Sequence, residues 1–253
     1  MHMTDFGPLK SVRDWIKRRR HTSRRAVEKI IPEISADEAA LMRRYAPYTM
    51  TSIERQWALI KAVEYLNGKA IAGDFVECGV WRGGNLMIAK ELCRPSGMPR
   101  KFYLFDTFAG MSAPTAADTT HAGADASATY RERVRGDHVD WVNASLEDVR
   151  ESFRRANLLD EQVIFVKGKV EDTLADRRNV PAKIALLRLD TDFYESTRAE
   201  LEVLYPRLVS GGVLIVDDYG HWRGARKAVD EYFKGAAMLW SRIDYTARMT
   251  VKG

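Results

Sequence analysis

The 253-residue chain contains only two cysteines, Cys78 and Cys93. Two cysteines exclude the dense disulfide framework of small secreted proteins, and their spacing matches no CxxC-type metal site. No apolar run reaches the roughly 20 residues that span a bilayer, and the N-terminus lacks the apolar region of a signal peptide. These absences predict a cytoplasmic protein with no membrane segment.

The chain also has no strong overall charge, since 40 basic residues face 35 acidic ones and the net charge is +5. The basic excess is concentrated in residues 17–25, which read KRRRHTSRR. Such a run can bind nucleic-acid phosphates, but no aromatic cluster accompanies it for base stacking, so a nucleic-acid partner is not expected. The same run could be a solvated helix face or could pack on a second subunit of a homo-oligomer. We expect residues 1–35 to form a basic N-terminal arm.

With 45% hydrophobic residues, positions 36–253 can build one domain around a single core. Helices are predicted within 36–70, where Thr51 and Glu54 resemble a capping box. Strands and helices then alternate, which predicts a doubly wound α/β sheet of five parallel strands with helices on both faces. The predicted strands are 74–78, 101–106, 162–167, 183–190 and 212–217. An antiparallel hairpin is expected within 237–251.

One segment breaks this alternation. Residues 112–143 are rich in Ala, Thr, Asp and Gly and are too long for an ordinary connection. Long insertions in compact domains are usually functional lids or disordered segments. We call residues 112–143 the lid insertion and expect His121 and His138 as candidates to line a pocket beneath it.

Paired acids follow two apolar runs. Asp190 and Asp192 close IALLRLDTD, and Asp217 and Asp218 close GGVLIVDD. Open α/β sheets bind ligands beyond the carboxyl ends of their strands, and carboxylates there can hold a hard dication. Capping of the following helices would explain one acid of each pair, but doubled acids repel unless something neutralises them. The pattern favours a metal or catalytic site, with Arg188 paired to a nearby acid.

A second motif follows the first predicted strand, in the run DFVECGVWRGGNL. Its glycines allow a tight turn and close approach to a ligand, and the helix start offers free N–H groups. The spacing differs from GxGxxG, which makes a nicotinamide cofactor less favoured. Asp106 ends the next strand, where such folds place the acid that binds ribose hydroxyls, although it could instead cap the turn through Thr107 and Phe108.

Together these motifs resemble those of the macrocin O-methyltransferase (TylF) family. The matching runs are ECGVWRGG, FDTFAGM, VEDTL, LRLDTDFYEST and GGVLIVDDYG, within residues 45–235. The resemblance implies the class I methyltransferase fold, S-adenosylmethionine as cofactor, a need for Mg2+, and methylation of sugar hydroxyls on antibiotics and other natural products.

The resemblance also implies roles for individual residues. It assigns Mg2+ to Asp190, Asp217 and Asp218, and leaves Asp192 as general base with His221 as the alternative. The implied cofactor-binding residues are Thr51, Ser52, Glu77, Gly79, Val80, Trp81, Gly83, Asp106, Thr107, Phe108, Val170, Glu171 and Asp190.

The acceptor stays open at this point. A vicinal diol of a sugar and a catechol-type phenol both offer adjacent oxygens to a cation, and Tyr194, Tyr219 or Trp222 could stack on either ring. A nucleic-acid methyltransferase and an NAD-dependent oxidoreductase are less favoured, the latter because it leaves the paired aspartates unexplained.

Overall fold

The computed structural model describes residues 24–253, so the basic run 17–25 lies largely outside the described residues. The main sheet has seven strands in the order β5-β2-β1-β6-β7-β9-β8. Strands β5, β2, β1, β6 and β7 are parallel, β9 is antiparallel to β7, and β8 is antiparallel to β9. The strands of this sheet are β1 Asp74–Cys78, β2 Phe102–Asp106, β5 Val163–Lys167, β6 Ile184–Leu189, β7 Leu208–Val216, β8 Ser241–Arg242 and β9 Arg248–Val251. The predicted doubly wound sheet with a C-terminal hairpin is confirmed.

Helices flank both faces of this sheet. They are α1 Arg24–Ile30, α2 Ala36–Tyr45, α3 Ile53–Gly68, α4 Gly84–Cys93, α5 Ala126–Arg133, α6 Leu146–Arg155, α7 Val170–Thr173, α8 Tyr194–Leu204 and α9 Arg223–Tyr232. Because side chains alternate along a strand, Phe75 faces a core that includes residues of α2, α3, α4 and α6, whereas Val76 faces a core with α7, α8 and α9. No helix of residues 24–253 is long and apolar enough to cross a membrane.

The start of α3 differs from the prediction. Ser52, not Thr51, is the N-cap, and its Oγ accepts a hydrogen bond from the Arg55 N–H at 3.2 Å. Thr51 is buried, and its hydroxyl bonds to Thr49 and Asn85 instead. The capping box with Glu54 was therefore wrong by one residue, because tertiary contacts occupy the Thr51 side chain.

The order of the strands places a crevice between β1 and β6. From β1 the chain winds outward through β2 to β5, then returns to pair β6 with the other side of β1. The chain connections on the β1 side and on the β6 side lead in opposite directions. This reversal leaves a ligand crevice between β1 and β6 at the carboxyl edge of the sheet. The glycine run after β1 and both acid pairs lie at this edge.

The lid insertion is folded. It contains α5 and a small hairpin of β3, Val134–Arg135, and β4, His138–Val139. An isolated bridge joins Thr120 to Trp222. A third hydrophobic cluster, defined by Ala126, Phe193, Trp222 and Ala225, packs the insertion against the starts of α8 and α9.

Residues 24–35 differ from the expected arm. Helix α1 places Val27 in the main core with 0% exposure, and Ile31 is also buried. Because Val27 and Ile31 are four positions apart, both reach the same side of the helix axis. This described part of residues 1–35 packs on the domain.

Val27→Ala should lower the free energy of unfolding by about 1–3 kcal/mol, since it removes buried methyl groups. The measurement is urea denaturation, with Lys29→Ala on the exposed side of α1 as control. Equal stability of the two variants would mean that α1 does not contribute to the core.

Candidate active site

A cavity of about 420 Å³ opens at the carboxyl edge of the parallel strands. Its wall combines the segment before α3, the glycine run after β1, the lid insertion and both acid loops. The predicted cofactor-binding residues in this wall are Thr51, Gly79, Val80, Trp81, Asp106, Thr107, Val170 and Asp190. The other five, Ser52, Glu77, Gly83, Phe108 and Glu171, lie outside the lining.

Gly79 sets how closely the first loop approaches the acid loop. Its φ is +80°, and a Cβ at this position would lie 2.1 Å from the carbonyl oxygen of Asp190. Any side chain here would force the two loops apart. Glycine at position 79 therefore brings the predicted cofactor loop against a predicted metal ligand.

Asp106 ties together two loops of the cavity wall. Its Oδ2 accepts from the backbone N–H groups of Val80 at 2.8 Å and Trp81 at 3.1 Å, and its Oδ1 accepts from that of Phe108 at 2.8 Å. Trp81 and Phe108 both have positive φ, 47° and 50°. Burial raises the pKa of Asp106, against the opposing effect of these hydrogen bonds. The carboxylate thus stabilises strained backbone, while its role toward a ribose stays a prediction.

Glu77 belongs to a buried polar chain that leads to the N-terminal segment. Its Oε1 accepts from Asn85 Nδ2 at 2.9 Å. The Oδ1 of Asn85 accepts from the hydroxyls of Thr49 at 3.1 Å and Thr51 at 3.2 Å. Within residues 24–253, Glu77 Oε2 has no hydrogen-bond partner. Thr49 and Asn85 line the cavity; Thr49 belongs to no motif, and Asn85 stands in the glycine run without being singled out there.

Ser52 and Glu171 are placed differently from Thr51. The Ser52 hydroxyl donates to Asp244 at 2.8 Å and caps α3. Glu171 lies in the short helix α7, and its Oε2 is buried without a hydrogen-bond partner among the described residues. Both adjoin residues of the cavity wall, and their contact with a cofactor stays a prediction.

Arg188 is the centre of the acid-rich edge. Its side chain is 3% exposed, and Nη1 lies 2.6 Å from Glu77 Oε1 and 2.6 Å from Asp190 Oδ2. Its Nη2 pairs with Asp217. The prediction that this buried guanidinium pairs with a nearby acid is confirmed.

A second guanidinium reaches the site from α3. Arg55 Nη1 pairs with Asp217, and its Nε lies 3.1 Å from Asp244 Oδ2 in the loop before β9. Burial alone would raise the pKa of Asp217, but Arg188 and Arg55 outweigh it and hold this pKa below its ordinary value. Arg55 and Asp244 carry no sequence signal because they come from segments remote from the acid motifs.

The remaining acids form a tight group. Oxygen atoms of Asp190, Asp192 and Asp218 all lie within 4.8 Å of one another. Burial, and then repulsion from neighbouring carboxylates, raises the pKa of Asp218 well above its ordinary value, and burial raises that of Asp192 to about 7. Asp192 also has a φ of 71°, a conformation typical of strained functional positions.

This geometry differs in one member from the predicted metal set of Asp190, Asp217 and Asp218. Asp192 joins Asp190 and Asp218 in this group, while each oxygen of Asp217 accepts from one guanidinium, that of Arg55 or of Arg188. The three grouped acids offer hard oxygen ligands at mutual distances that one Mg2+ can bridge, and such an ion would relieve their repulsion. The donor set therefore fits the implied cation.

His221 lines the cavity beside the acids. Its Nδ1 lies 3.3 Å from the Tyr245 hydroxyl, and burial lowers its pKa. His121 lies behind it, with ring centroids 5.7 Å apart, and does not line the cavity. His138 pairs with the exposed Asp137 instead. The expectation that His121 and His138 reach the pocket is wrong.

Of the three aromatic residues considered for stacking on the acceptor, one lines the cavity and two do not. Trp222 lines the cavity, whereas the hydroxyls of Tyr194 and Tyr219 bond to Glu231 and Asp230 on the surface of α9. The lid insertion and the residue before it contribute further lining residues that were not among the expected site residues; only Met111 stands in a quoted motif, FDTFAGM. They are Met111, Ser112, Thr129, Arg133, Trp141 and Val142.

Fold and site together define a methyltransferase with a Rossmann-like sheet. The solved O-methyltransferase NovP is 34% identical, with a TM-score of 0.69 over 81% of this chain and 82% of that chain. The calicheamicin methyltransferase CalS11 covers 99% of this chain and 100% of its own, with a TM-score of 0.64. At 17% identity, this second likeness concerns the fold alone.

The chain belongs to the macrocin O-methyltransferase (TylF) family, whose profile matches residues 3–249. It is therefore an S-adenosylmethionine-dependent O-methyltransferase, and the NAD-dependent oxidoreductase alternative loses its support.

Curated relatives are similar over most of the chain. The 8-demethyl-8-(2,3-dimethoxy-alpha-L-rhamnosyl)-tetracenomycin-C 4'-O-methyltransferase of Streptomyces olivaceus is 37% identical over 203 residues, 79% of this chain and 74% of the relative. The demethyldecarbamoylnovobiocin O-methyltransferase of Streptomyces niveus is 37% identical over 73% of this chain and 67% of its own. The mycinamicin III 3''-O-methyltransferase of Micromonospora griseorubida is 35% identical over 73% and 70%.

Arg188→Met should destabilise the cation-free protein by about 3–5 kcal/mol near pH 8, because it leaves Glu77, Asp190 and Asp217 buried without their shared counterion. Losing that counterion raises the folded-state pKa of all three acids; burial already holds those of Glu77 and Asp190 above their ordinary values, whereas Arg188 helps to hold that of Asp217 below it. The acids then bind protons more tightly when folded, so the stability deficit should shrink as pH falls toward about 5.

Urea denaturation in EDTA at both pH values measures this deficit. Arg178→Met is the matched control, since Arg178 pairs with Asp176 at the surface with 90% of its side chain exposed. A stability deficit that is the same at both pH values would show that Arg188 does not control the pKa values of the three acids.

Proposed function

We propose that this O-methyltransferase transfers the methyl group of S-adenosylmethionine to a sugar hydroxyl of a glycosylated small molecule, with Mg2+ bound at the acid edge. The observation that carries the proposal is the group of Asp190, Asp192 and Asp218, which lies between the glycine loop and the lid-side aromatics. The names of curated relatives support the acceptor class, since one acts on a rhamnosyl tetracenomycin and another on mycinamicin III.

The cofactor would lie against the glycine loop. Gly79, Val80 and Trp81 present backbone to this part of the cavity, and Thr51 with Asn85 continues the wall. The buried and unpartnered Glu77 Oε2 adjoins the same wall through Asn85, and it suits a cationic ammonium group. The bound cofactor supplies an electrophilic methyl group, so the protein needs no nucleophile of its own.

The acceptor would lie on the other side, beneath the lid insertion. Trp141 and Trp222 offer apolar faces on which a sugar or phenol ring can pack, and they reduce the access of water. Thr129 and Arg133 are one helical turn apart on α5 and offer hydrogen-bond donors to the oxygens of the acceptor. These residues orient the acceptor hydroxyl toward the acid group.

Asp190 and Asp218 are the proposed core of the cation site, because they belong both to the set that the family resemblance implies and to the set that the distances favour. A bound dication would lower the pKa of the acceptor hydroxyl and hold two adjacent oxygens in place. Asp217 is proposed as the third ligand, because Arg55 and Arg188 keep it ionised and each of its oxygens retains a lone pair beside its guanidinium contact.

Asp192 is the proposed general base. Its side chain lines the cavity, and within residues 24–253 no lysine or arginine forms an ion pair with it, unlike Asp217. An unpaired carboxylate beside the acceptor hydroxyl can take its proton. His221, at the same wall, is the alternative proton acceptor.

The proposal is tested with isotopically labelled S-adenosylmethionine and a panel of acceptors, with Mg2+ or with EDTA. We expect transfer to glycosides with a vicinal diol, little transfer to their deoxy analogues that lack the neighbouring hydroxyl, and none in EDTA. Preferred transfer to catechols would establish the phenolic alternative. Full activity in EDTA would contradict the role of the cation.

Asp218→Asn should lower kcat by at least about 100-fold, because the acid group loses a charged oxygen ligand. Mn2+ affinity should fall as well, for the same reason. The affinity for S-adenosylhomocysteine should persist, since Asp218 is not among the predicted cofactor-binding residues. Steady-state kinetics measures kcat, and calorimetry measures the affinities for S-adenosylhomocysteine and Mn2+. Asp230→Asn, on the exposed side of α9, is the matched control and should change none of these quantities.

Asp192→Asn tests whether Asp192 is the general base, with Asp217 as the third cation ligand, or is itself the third ligand. If Asp192 is the base, kcat should fall by about 100-fold to 10,000-fold while the Mn2+ affinity stays unchanged, because a base contributes to proton transfer alone. A loss of Mn2+ affinity as large as that of Asp218→Asn would instead identify Asp192 as the third ligand and leave Asp217 as a structural anion.

A further inference from the structure

Asp118, in the lid insertion, is a fully buried carboxylate that the proposed reaction does not use. Its exposure is 0%, and within residues 24–253 it forms no ion pair with a basic side chain. Burial of an unpaired carboxylate is costly unless hydrogen bonds satisfy its oxygens. The partners of Asp118 therefore indicate what this residue does.

One oxygen of Asp118 reaches the starts of two helices. Oδ1 accepts from the backbone N–H of Tyr194, the first residue of α8, at 2.8 Å. A Cβ added at Gly224, the second residue of α9, would lie only 2.0 Å from the same oxygen. The N-cap residues of these helices, Phe193 and Trp222, make no side-chain capping bond. Asp118 caps α8 from a distance and lies against the first turn of α9, where helix dipoles favour a negative charge.

Both helices begin directly after the acid loops. Asp190 and Asp192 precede α8, whereas Asp218 and His221 precede α9. A group that fixes the two helix starts also fixes how far these loops lie from each other. Asp118 does not itself line the cavity.

The other oxygen of Asp118 fastens the lid insertion. Oδ2 accepts from the backbone N–H of Thr115 at 2.7 Å and from its hydroxyl at 2.8 Å. The next residues run along the second acid loop, since Thr119 O accepts from Arg223 N at 2.9 Å and His121 N donates to His221 O at 2.7 Å. The residues that follow Asp118 thus attach the lid insertion to the loop between Asp218 and α9.

We propose that Asp118 is a positioning residue that locks the lid insertion to the starts of α8 and α9, and thereby sets the acceptor side of the active site. The proposal rests on the O-methyltransferase activity and is independent of which acceptor or cation the enzyme uses. Loss of this contact should therefore impair the use of the acceptor but not the binding of the cofactor, because the proposed cofactor site is formed mainly by α4, the glycine loop and the segment before α3.

The test compares Asp118→Asn with Asp125→Ala. The asparagine keeps the size of the side chain but lacks the charge and one acceptor oxygen, so it cannot satisfy both Thr115 and the helix starts. Asp125 is the matched control, because it caps α5 within the same insertion through Ser127 N at 2.8 Å and touches neither acid loop. Three quantities are measured: S-adenosylhomocysteine affinity, amide hydrogen exchange, and kcat and KM for the acceptor.

For Asp118→Asn we expect faster exchange in residues 112–143 and at the starts of α8 and α9, with unchanged exchange in α4. S-adenosylhomocysteine affinity should stay within about twofold, while kcat/KM for the acceptor falls about 10-fold to 100-fold. Asp125→Ala should speed exchange in α5 and leave exchange at the starts of α8 and α9 unchanged.

Wild-type exchange at both helix starts in Asp118→Asn, or a parallel loss of cofactor and acceptor binding, would overturn the proposal. Hydrogen exchange needs no acceptor, so it decides the matter even if no glycoside is methylated.

Discussion

The active-site edge depends on the buried guanidinium of Arg188. Strand register places Glu77 of β1 beside it, and its side chain reaches Asp190 and Asp217 beyond the ends of β6 and β7. Carboxylates this deeply buried would otherwise protonate or expel one another. One cation in the middle of the sheet thus allows an acid-rich site to form at the switch point of the fold.

Arg55 and Arg188 make the charge state of Asp217 different from that of the other three aspartates. Asp217 lies between Arg188 and Arg55 and stays ionised, whereas Asp190, Asp192 and Asp218 crowd together with too few positive partners. This unbalanced group is suited to a divalent ion, and the lid insertion covers it with aromatic residues. Site chemistry and lid position are linked because the same helix starts follow the acid loops and receive Asp118.

Most of the fold was predictable, because buried parallel strands read as continuous apolar runs and their carboxyl ends collect the acids. The grouping of those acids was not, since spacing along the chain cannot tell that Arg55 from α3 would engage Asp217 and leave Asp192 beside Asp218. Asn85 and Asp118 were missed for the same reason. Each acts through contacts with distant segments, and no local pattern identifies its role.

The most direct measurement is the anomalous scattering of Mn2+ in crystals grown with S-adenosylhomocysteine. We expect a Mn2+ peak bound by the carboxylates of Asp190 and Asp218, the cofactor product against the glycine loop, and Arg188 still joining Glu77 to Asp217. A peak away from this edge, or an Arg188 side chain turned from these acids, would contradict this arrangement.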